Sequence, residues 1–125
     1  MNSLLVMIGG ALGALARYQF GRMAGRLLSN SWPWGTLGVN IIGGLAMGLL
    51  AGWLARHGSG VGEQARLLIG VGVLGGFTTF SAFSLETALM IERGQLGGAA
   101  VYAVLSVVLS VAALFGGLFT MRGLA

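Results

Sequence analysis

The residues best suited to chemistry lie in one stretch, Gly75-Gly76-Phe77-Thr78-Thr79-Phe80-Ser81-Ala82-Phe83-Ser84. It places two glycines, four hydroxyls and three phenylalanines inside an apolar run that otherwise has the composition of a membrane span. Adjacent glycines weaken a helix, and a break in a membrane helix frees carbonyl oxygens, which are cation ligands. Hydroxyl groups and aromatic ring edges carry positive partial charge, which suits an anion. The stretch therefore indicates either an ion site at a helix break or a packing seam between ordinary helices.

The composition is that of an integral membrane protein. Of the 125 residues, 56% are hydrophobic and 8% are charged, and the mean hydropathy is +0.90, whereas a soluble domain carries about 25% charged residues. At about 20 residues per span, the length allows four spans and no soluble domain. We predict one all-α transmembrane domain over residues 1–125, with spans at approximately 4–28, 35–55, 65–90 and 96–121 and the third span broken at Gly75 and Gly76.

Several classes of function are not expected. Cysteine is absent, and one His and three Glu are too few and too scattered for a metal cluster. An enzyme is not predicted, because no nucleophile–base pair is visible. The net charge of +4 comes from arginines that occur singly near span ends, where they anchor topology in the lipid bilayer. Nucleic acid is therefore not a predicted partner.

The distribution of arginine predicts an unusual topology. Four spans place both termini on one side of the membrane, and the arginines of the two sides then balance. The side with the termini carries Arg56, Arg66 and Arg122, and the other carries Arg22, Arg26 and Arg93, joined by Arg17 if it reaches the interface. Because an arginine excess normally sets orientation, we expect insertion in both directions and an antiparallel homodimer.

Three polar or charged residues each allow two interpretations. Arg17 follows Gly9 and Gly13 on one face of span one, and it either snorkels to the interface or draws anions into a polar vestibule. Asn40 in span two either bonds a neighbouring helix or donates its amide to a desolvated anion. Glu86, near the end of span three, is either an interfacial carboxylate or a proton-linked site.

Other side chains recur at helical spacing. Tyr102, Ser106 and Ser110 occupy every fourth position of span four and so line one helical face. Phe80 and Phe83 share a face if the helix resumes there. In addition, small residues four apart predict close helix packing, at Gly9 and Gly13 and along Gly44, Gly48 and Gly52.

Three segments together resemble the Fluc (CrcB) family of bacterial fluoride channels. They are Gly13-Ala14-x-x-Arg17-Tyr18, then Gly35-Thr36-Leu37-x-Val39-Asn40-x-x-Gly43, then Gly75-Gly76-Phe77-Thr78-Thr79-Phe80-Ser81-x-Phe83-Ser84-x-Glu86. Their order, the chain length and the number of spans match that family. The third segment is highly specific, and all three in order make the resemblance strong.

The resemblance implies a dual-topology antiparallel homodimer with two pores and a central structural sodium ion that is not transported. It assigns the sodium to the backbone carbonyls of Gly75 and Thr78, one pair from each subunit. It assigns the anion pathway to Asn40 as the pore amide, Phe80 and Phe83 as an aromatic box, Thr79 and Ser81 as further hydroxyls, and Tyr102, Ser106 and Ser110 as a polar track. Arg17 matches the first-span arginine of a vestibule, to which we also assign Glu86.

The family's role implies passive export of cytoplasmic fluoride through a multi-pass protein of the bacterial inner membrane. Fluoride is small and strongly hydrated, so a selective pore must replace its water with closely spaced donors. The main alternative is a small dual-topology, proton-coupled transporter of cations or multiple drugs. Such a transporter needs a carboxylate deep in the membrane, whereas Glu86 lies near a span end.

Overall fold

The computed structural model describes residues 2–28, 32–57 and 60–123, and nearly all of them are helical. Helices α1 (Asn2–Leu27) and α2 (Trp34–His57) are continuous. The third span comprises α3 (Gly60–Ala65), a π-helical segment (Arg66–Leu74), α4 (Gly75–Phe77) and α5 (Phe80–Glu92), and α6 (Leu96–Gly123) completes the chain.

Within these described ranges, four helices are long and apolar enough to cross a membrane: Asn2–Leu27, Trp34–Arg56, Gly62–Glu92 and Leu96–Gly123. They overlap the four predicted spans. The all-α architecture with an interrupted third span is therefore confirmed, while the antiparallel dimer stays a prediction.

The predicted position of the break is wrong. Gly75 is helical, with φ −62° and ψ −39°, and the chain leaves the helix at Thr78 (φ −85°, ψ 158°) and Thr79 (φ −151°, ψ 124°). Gly76 serves packing instead, because a Cβ there would lie 2.6 Å from the Gly10 carbonyl oxygen in α1. The two β-branched threonines suit extended backbone better than helix.

Close packing of α1 against the third span confirms the first predicted glycine repeat. A Cβ on Gly9 would lie 2.3 Å from the Leu68 carbonyl oxygen, and one on Gly13 would lie 2.0 Å from that of Val73. Backbones can approach this closely only where side chains are missing. Helix α1 therefore holds the π-helical segment directly before the break.

Helices α2 and α6 pack in parallel along the second glycine repeat. A Cβ on Gly44 or Gly48 would lie 2.6 or 2.0 Å from a carbonyl oxygen of α6. At their C-terminal ends, the Arg56 guanidinium donates to the Met121 carbonyl at 3.1 Å. The two tight pairs, α1 with the third span and α2 with α6, therefore fix the polar face of α6 relative to the break.

Candidate functional site

The break is held by a paired hydrogen bond from α2. The Thr79 N–H donates to Asn40 Oδ1 at 3.0 Å, and Asn40 Nδ2 donates to the Thr79 carbonyl at 3.2 Å. In an uninterrupted helix this N–H would bond to the carbonyl four residues earlier, that of Gly75. The Asn40 amide thus satisfies both the N–H and the carbonyl of Thr79. As a result, the Thr79 N–H does not bond to the Gly75 carbonyl.

Two neighbouring carbonyls at the break also have donors. The Leu74 carbonyl accepts the Thr78 N–H at 3.0 Å and the Thr78 hydroxyl at 2.9 Å. The Gly76 carbonyl accepts from Arg17 Nε at 3.1 Å. Arg17 was predicted to line a vestibule, and the structure also gives it this direct bond to the third span.

The break leaves two helix ends of opposite polarity next to each other. The segment ending at Phe77 presents backbone carbonyls, which carry partial negative charge. Helix α5 begins at Phe80, and its first turn presents N–H groups, one of which, from Ala82, donates to the Thr79 hydroxyl at 3.2 Å. A single break can therefore offer oxygen ligands to a cation and N–H groups to an anion.

A cavity of about 370 Å³ opens beside the break, between α2, the third span and α6. It brings together residues that lie far apart in the sequence. Its lining contains these predicted site residues: Asn40, Gly75, Thr78, Thr79, Phe80, Phe83, Ser106 and Ser110. The rest of the lining consists of glycines and aliphatic side chains, so the polar groups face a largely apolar space.

The predicted aromatic pair lies at this cavity and continues into the protein. The Phe80 and Phe83 ring centroids are 5.5 Å apart, and Phe83 packs against Tyr102 at 5.2 Å. Tyr102 in turn meets the Trp32 ring at 5.5 Å with its plane tilted by 81°. Phe80 lines the cavity and is nevertheless 77% exposed, so one wall of the site is open in the single chain.

The predicted hydroxyl face of α6 is buried and lacks hydrogen bonds within the described chain. The hydroxyl oxygens of Tyr102, Ser106 and Ser110 are inaccessible and have no partner among the described residues. Buried polar atoms are usually satisfied, and leaving one unpaired costs about 1–3 kcal/mol. Ser106 and Ser110 line the cavity, whereas Tyr102 lies behind Phe83 and does not. The two serines therefore lie in the cavity wall with unpaired hydroxyls, and each side chain would have to rotate towards the cavity to donate to a bound polar species.

A second cavity, of about 350 Å³, is also lined by Thr79. Arg17 and Thr36 line it, and Thr79 lines both cavities. The Thr79 hydroxyl also lies 3.2 Å from that of Ser81, which is exposed. Thr79 is therefore the residue that the two cavity linings have in common.

Glu86 lies apart from the first cavity. Its carboxylate accepts a hydrogen bond from the Thr36 hydroxyl, and the residue lines a smaller cavity of about 210 Å³ with Trp32, Trp34 and Gly35. Thr36 and Asn40 are one turn apart on α2, so this helix contacts the third span at two polar points, Glu86 and Thr79. Half-buried Glu86 thus has a defined hydrogen-bond partner near the end of the span.

Sequence reasoning missed two residues that shape the site. Thr36 was part of a motif without a role, although its spacing of four residues from Asn40 already places both on one face. Gly43 was part of a motif without a role, and a Cβ there would lie 2.1 Å from Thr78 Cγ2. Only the fold could show that this glycine leaves room for the break.

Comparison with known proteins places this chain in a family. The sequence model described as CrcB-like protein, Camphor Resistance (CrcB), matches residues 4–118. The chain is 58% identical over 122 residues to a protein of Novosphingobium aromaticivorans named fluoride-specific ion channel FluC, covering 96% of this chain and 95% of that protein.

Two further relatives agree with this match. A FluC of a Caulobacter species is 60% identical over 119 residues, covering 95% of this chain and 93% of that protein. FluC 2 of Nitrobacter hamburgensis is 51% identical over 124 residues, covering 99% of both chains. The four apolar helices and these bacterial relatives identify a multi-pass bacterial membrane protein, and the chain belongs to the CrcB family.

Proposed function

We propose that the protein is a fluoride-selective channel that lets cytoplasmic fluoride leave the cell passively across the bacterial inner membrane. The names of its relatives support fluoride as the ion. The observation that carries the proposal is the first cavity, which is lined by Phe80 and Phe83 together with Ser106 and Ser110, two serines whose hydroxyls have no partner in the described chain. Donors without partners, next to aromatic ring edges, are what a small dehydrated anion requires.

The proposed anion pathway runs from the cavity lined by Arg17, past Thr79, to the cavity lined by Phe80, Phe83, Ser106 and Ser110. The Arg17 guanidinium raises the local anion concentration at the entrance. The described lining of the first cavity, by contrast, carries no cationic side chain. A mid-pathway arginine or lysine would bind the ion too tightly for rapid release. The pathway therefore favours entry without trapping.

The functional unit we propose is an antiparallel homodimer. The balanced arginine count supports insertion in both directions. The wide exposure of Phe80, an aromatic residue that lines the cavity, supports a second subunit that closes the open wall. A dimer of opposite orientations would place two such pathways side by side, each completed by both chains.

A structural sodium ion at the break is part of the proposal. The residues fit it, because the helical donor of the Gly75 carbonyl is diverted to Asn40 and Thr78 is extended, so both oxygens can turn towards a ligand. Among the described residues lining the cavity, none carries a carboxylate, which suits a monovalent cation better than calcium or magnesium. When bound, the ion would supply positive charge to these carbonyls and link the two subunits.

A proton-coupled transporter is the competing function, and the position of Glu86 does not favour it. Coupling requires a carboxylate in the substrate space, whereas Glu86 is bonded to Thr36 and absent from the lining of the first cavity. We therefore keep the transporter only as an outcome that the experiment can detect.

Efflux from liposomes tests the proposal. Reconstituted protein should release fluoride, and much less chloride or guanidinium, without a proton or sodium gradient. Fluoride efflux should require sodium on equilibration but should not depend on its gradient, so sodium and N-methylglucamine salts are compared after long equilibration. Efflux driven by a proton or sodium gradient would indicate a coupled transporter, and equal release of chloride would contradict selectivity.

A further inference from the structure

Several carbonyl groups at the break accept hydrogen bonds, and their donors come from α1, α2 and the third span itself. The Leu74 carbonyl accepts from the backbone and hydroxyl of Thr78, the Gly76 carbonyl accepts from Arg17, and the Thr79 carbonyl accepts from Asn40. The Gly75 carbonyl loses its helical donor, because the Thr79 N–H bonds to Asn40 Oδ1 instead. Which carbonyl becomes available is thus determined by a side chain of another helix.

We infer that Asn40 is a positioning residue for the cation site, acting through the Thr79 backbone. The inference rests on the proposed sodium site and adds to it the reason why Gly75 is a ligand. The oxygen of the Asn40 side chain is the part that matters for the cation, because it accepts the Thr79 N–H and so keeps that donor from the Gly75 carbonyl. The amide nitrogen fixes the Thr79 carbonyl on the other side.

Loss of this acceptor has a definite structural consequence. An unpaired Thr79 N–H in a membrane must find a carbonyl, and the nearest helical partner is that of Gly75. The helix would lengthen by one hydrogen bond and the cation would have to compete with it. Since a hydrogen bond in an apolar surrounding is costly to give up, sodium binding should weaken about tenfold or more.

The two halves of the Asn40 amide can be separated by substitution. Asn40→Ala and the more volume-conserving Asn40→Leu remove both halves. Asn40→Asp keeps an oxygen acceptor for the Thr79 N–H but removes the N–H donors that an anion would use. The inference therefore expects Asp to retain sodium binding and lose fluoride flux, and expects Ala and Leu to lose both.

The experiment measures thermal unfolding of the purified dimer in detergent across a sodium titration, together with fluoride efflux. Stabilisation by sodium follows mass action, so its midpoint reports binding independently of flux. The matched control is Thr87→Ala, which removes a hydroxyl of the third span bonded only within its own helix, to the Phe83 carbonyl at 2.8 Å.

We expect a midpoint raised about tenfold or more in Asn40→Ala and Asn40→Leu, and an unchanged midpoint in Asn40→Asp and Thr87→Ala. An unchanged midpoint in Ala and Leu, with reduced efflux, would mean that Asn40 acts on the anion alone and would overturn the inference. A sodium midpoint in Asn40→Asp as high as that in Asn40→Ala would also overturn the inference. Fluoride efflux by the parent protein without any sodium stabilisation would refute the sodium site and this inference, but not the channel.

Discussion

Alanine at Gly43 would press directly on the break. The added Cβ would lie 2.1 Å from Thr78 Cγ2, whereas carbon atoms pack at about 3.5–4.0 Å, so the groups must separate by roughly 1.5 Å. Thr78 does not turn away freely, because its hydroxyl donates to the Leu74 carbonyl at 2.9 Å and a β-branched side chain has few rotamers. The backbone of Thr78, with its carbonyl, must therefore move.

The size of the effect follows from two opposing contributions. Overpacking costs about 1–3 kcal/mol, and alanine in place of glycine in a helix contributes up to about 1 kcal/mol of stability. The free energy of unfolding should therefore fall by about 0–3 kcal/mol. If about 1.4 kcal/mol of the strain falls on the conducting arrangement, fluoride efflux drops about tenfold.

Fluoride efflux from liposomes measures the effect of Gly43→Ala on conduction. Size-exclusion chromatography of the same samples checks that the protein is still assembled. The double variant Gly43→Ala/Thr78→Ser deletes the clashing methyl and keeps the hydroxyl, so it should recover most of the efflux. Gly10→Ala is the control, because no atom of another helix in the described chain lies within 4 Å of its Cβ. Parental efflux in Gly43→Ala, or no recovery in the double variant, would refute the reasoning.

Three other predictions concern topology, the aromatic pair and helix packing. Reporters fused to the C-terminus should show both orientations in one population because the arginines balance, and a single orientation would contradict the antiparallel dimer. Phe80→Ile and Phe83→Ile keep apolar bulk but lose the positive ring edge, so fluoride efflux should fall strongly while the dimer stays intact. Full efflux in both variants would mean that the two rings serve only in packing. Gly48→Ala would place a methyl 2.0 Å from the Leu114 carbonyl oxygen, so calorimetry should show that the free energy of unfolding falls by about 1–3 kcal/mol. The control Gly116→Ala, whose Cβ has no neighbour within 4 Å in the described chain, should show no such loss.

Local sequence patterns were enough to predict four membrane-spanning helices and several of the contacts between them. Hydropathy over about 20 residues defines a membrane span without reference to other segments, and the glycine repeats along α1 and α2 directly indicated close helix contacts. The spacing of Ser106 and Ser110 placed both hydroxyls on one face of α6, and the structure has both in the cavity lining. In each case the relevant neighbours lie within a few turns of one helix.

The break itself was decided by tertiary contacts. The glycine pair predicts an interruption at Gly75, but both glycines are helical, with Gly76 packed against α1, and the chain opens at Thr78 and Thr79 instead. Asn40 pairs with a residue 39 positions away, and Arg17 donates to a carbonyl 59 positions away. Sequence spacing cannot predict such pairs, because which carbonyl lacks its helical donor depends on which side chains the packed helices bring to it.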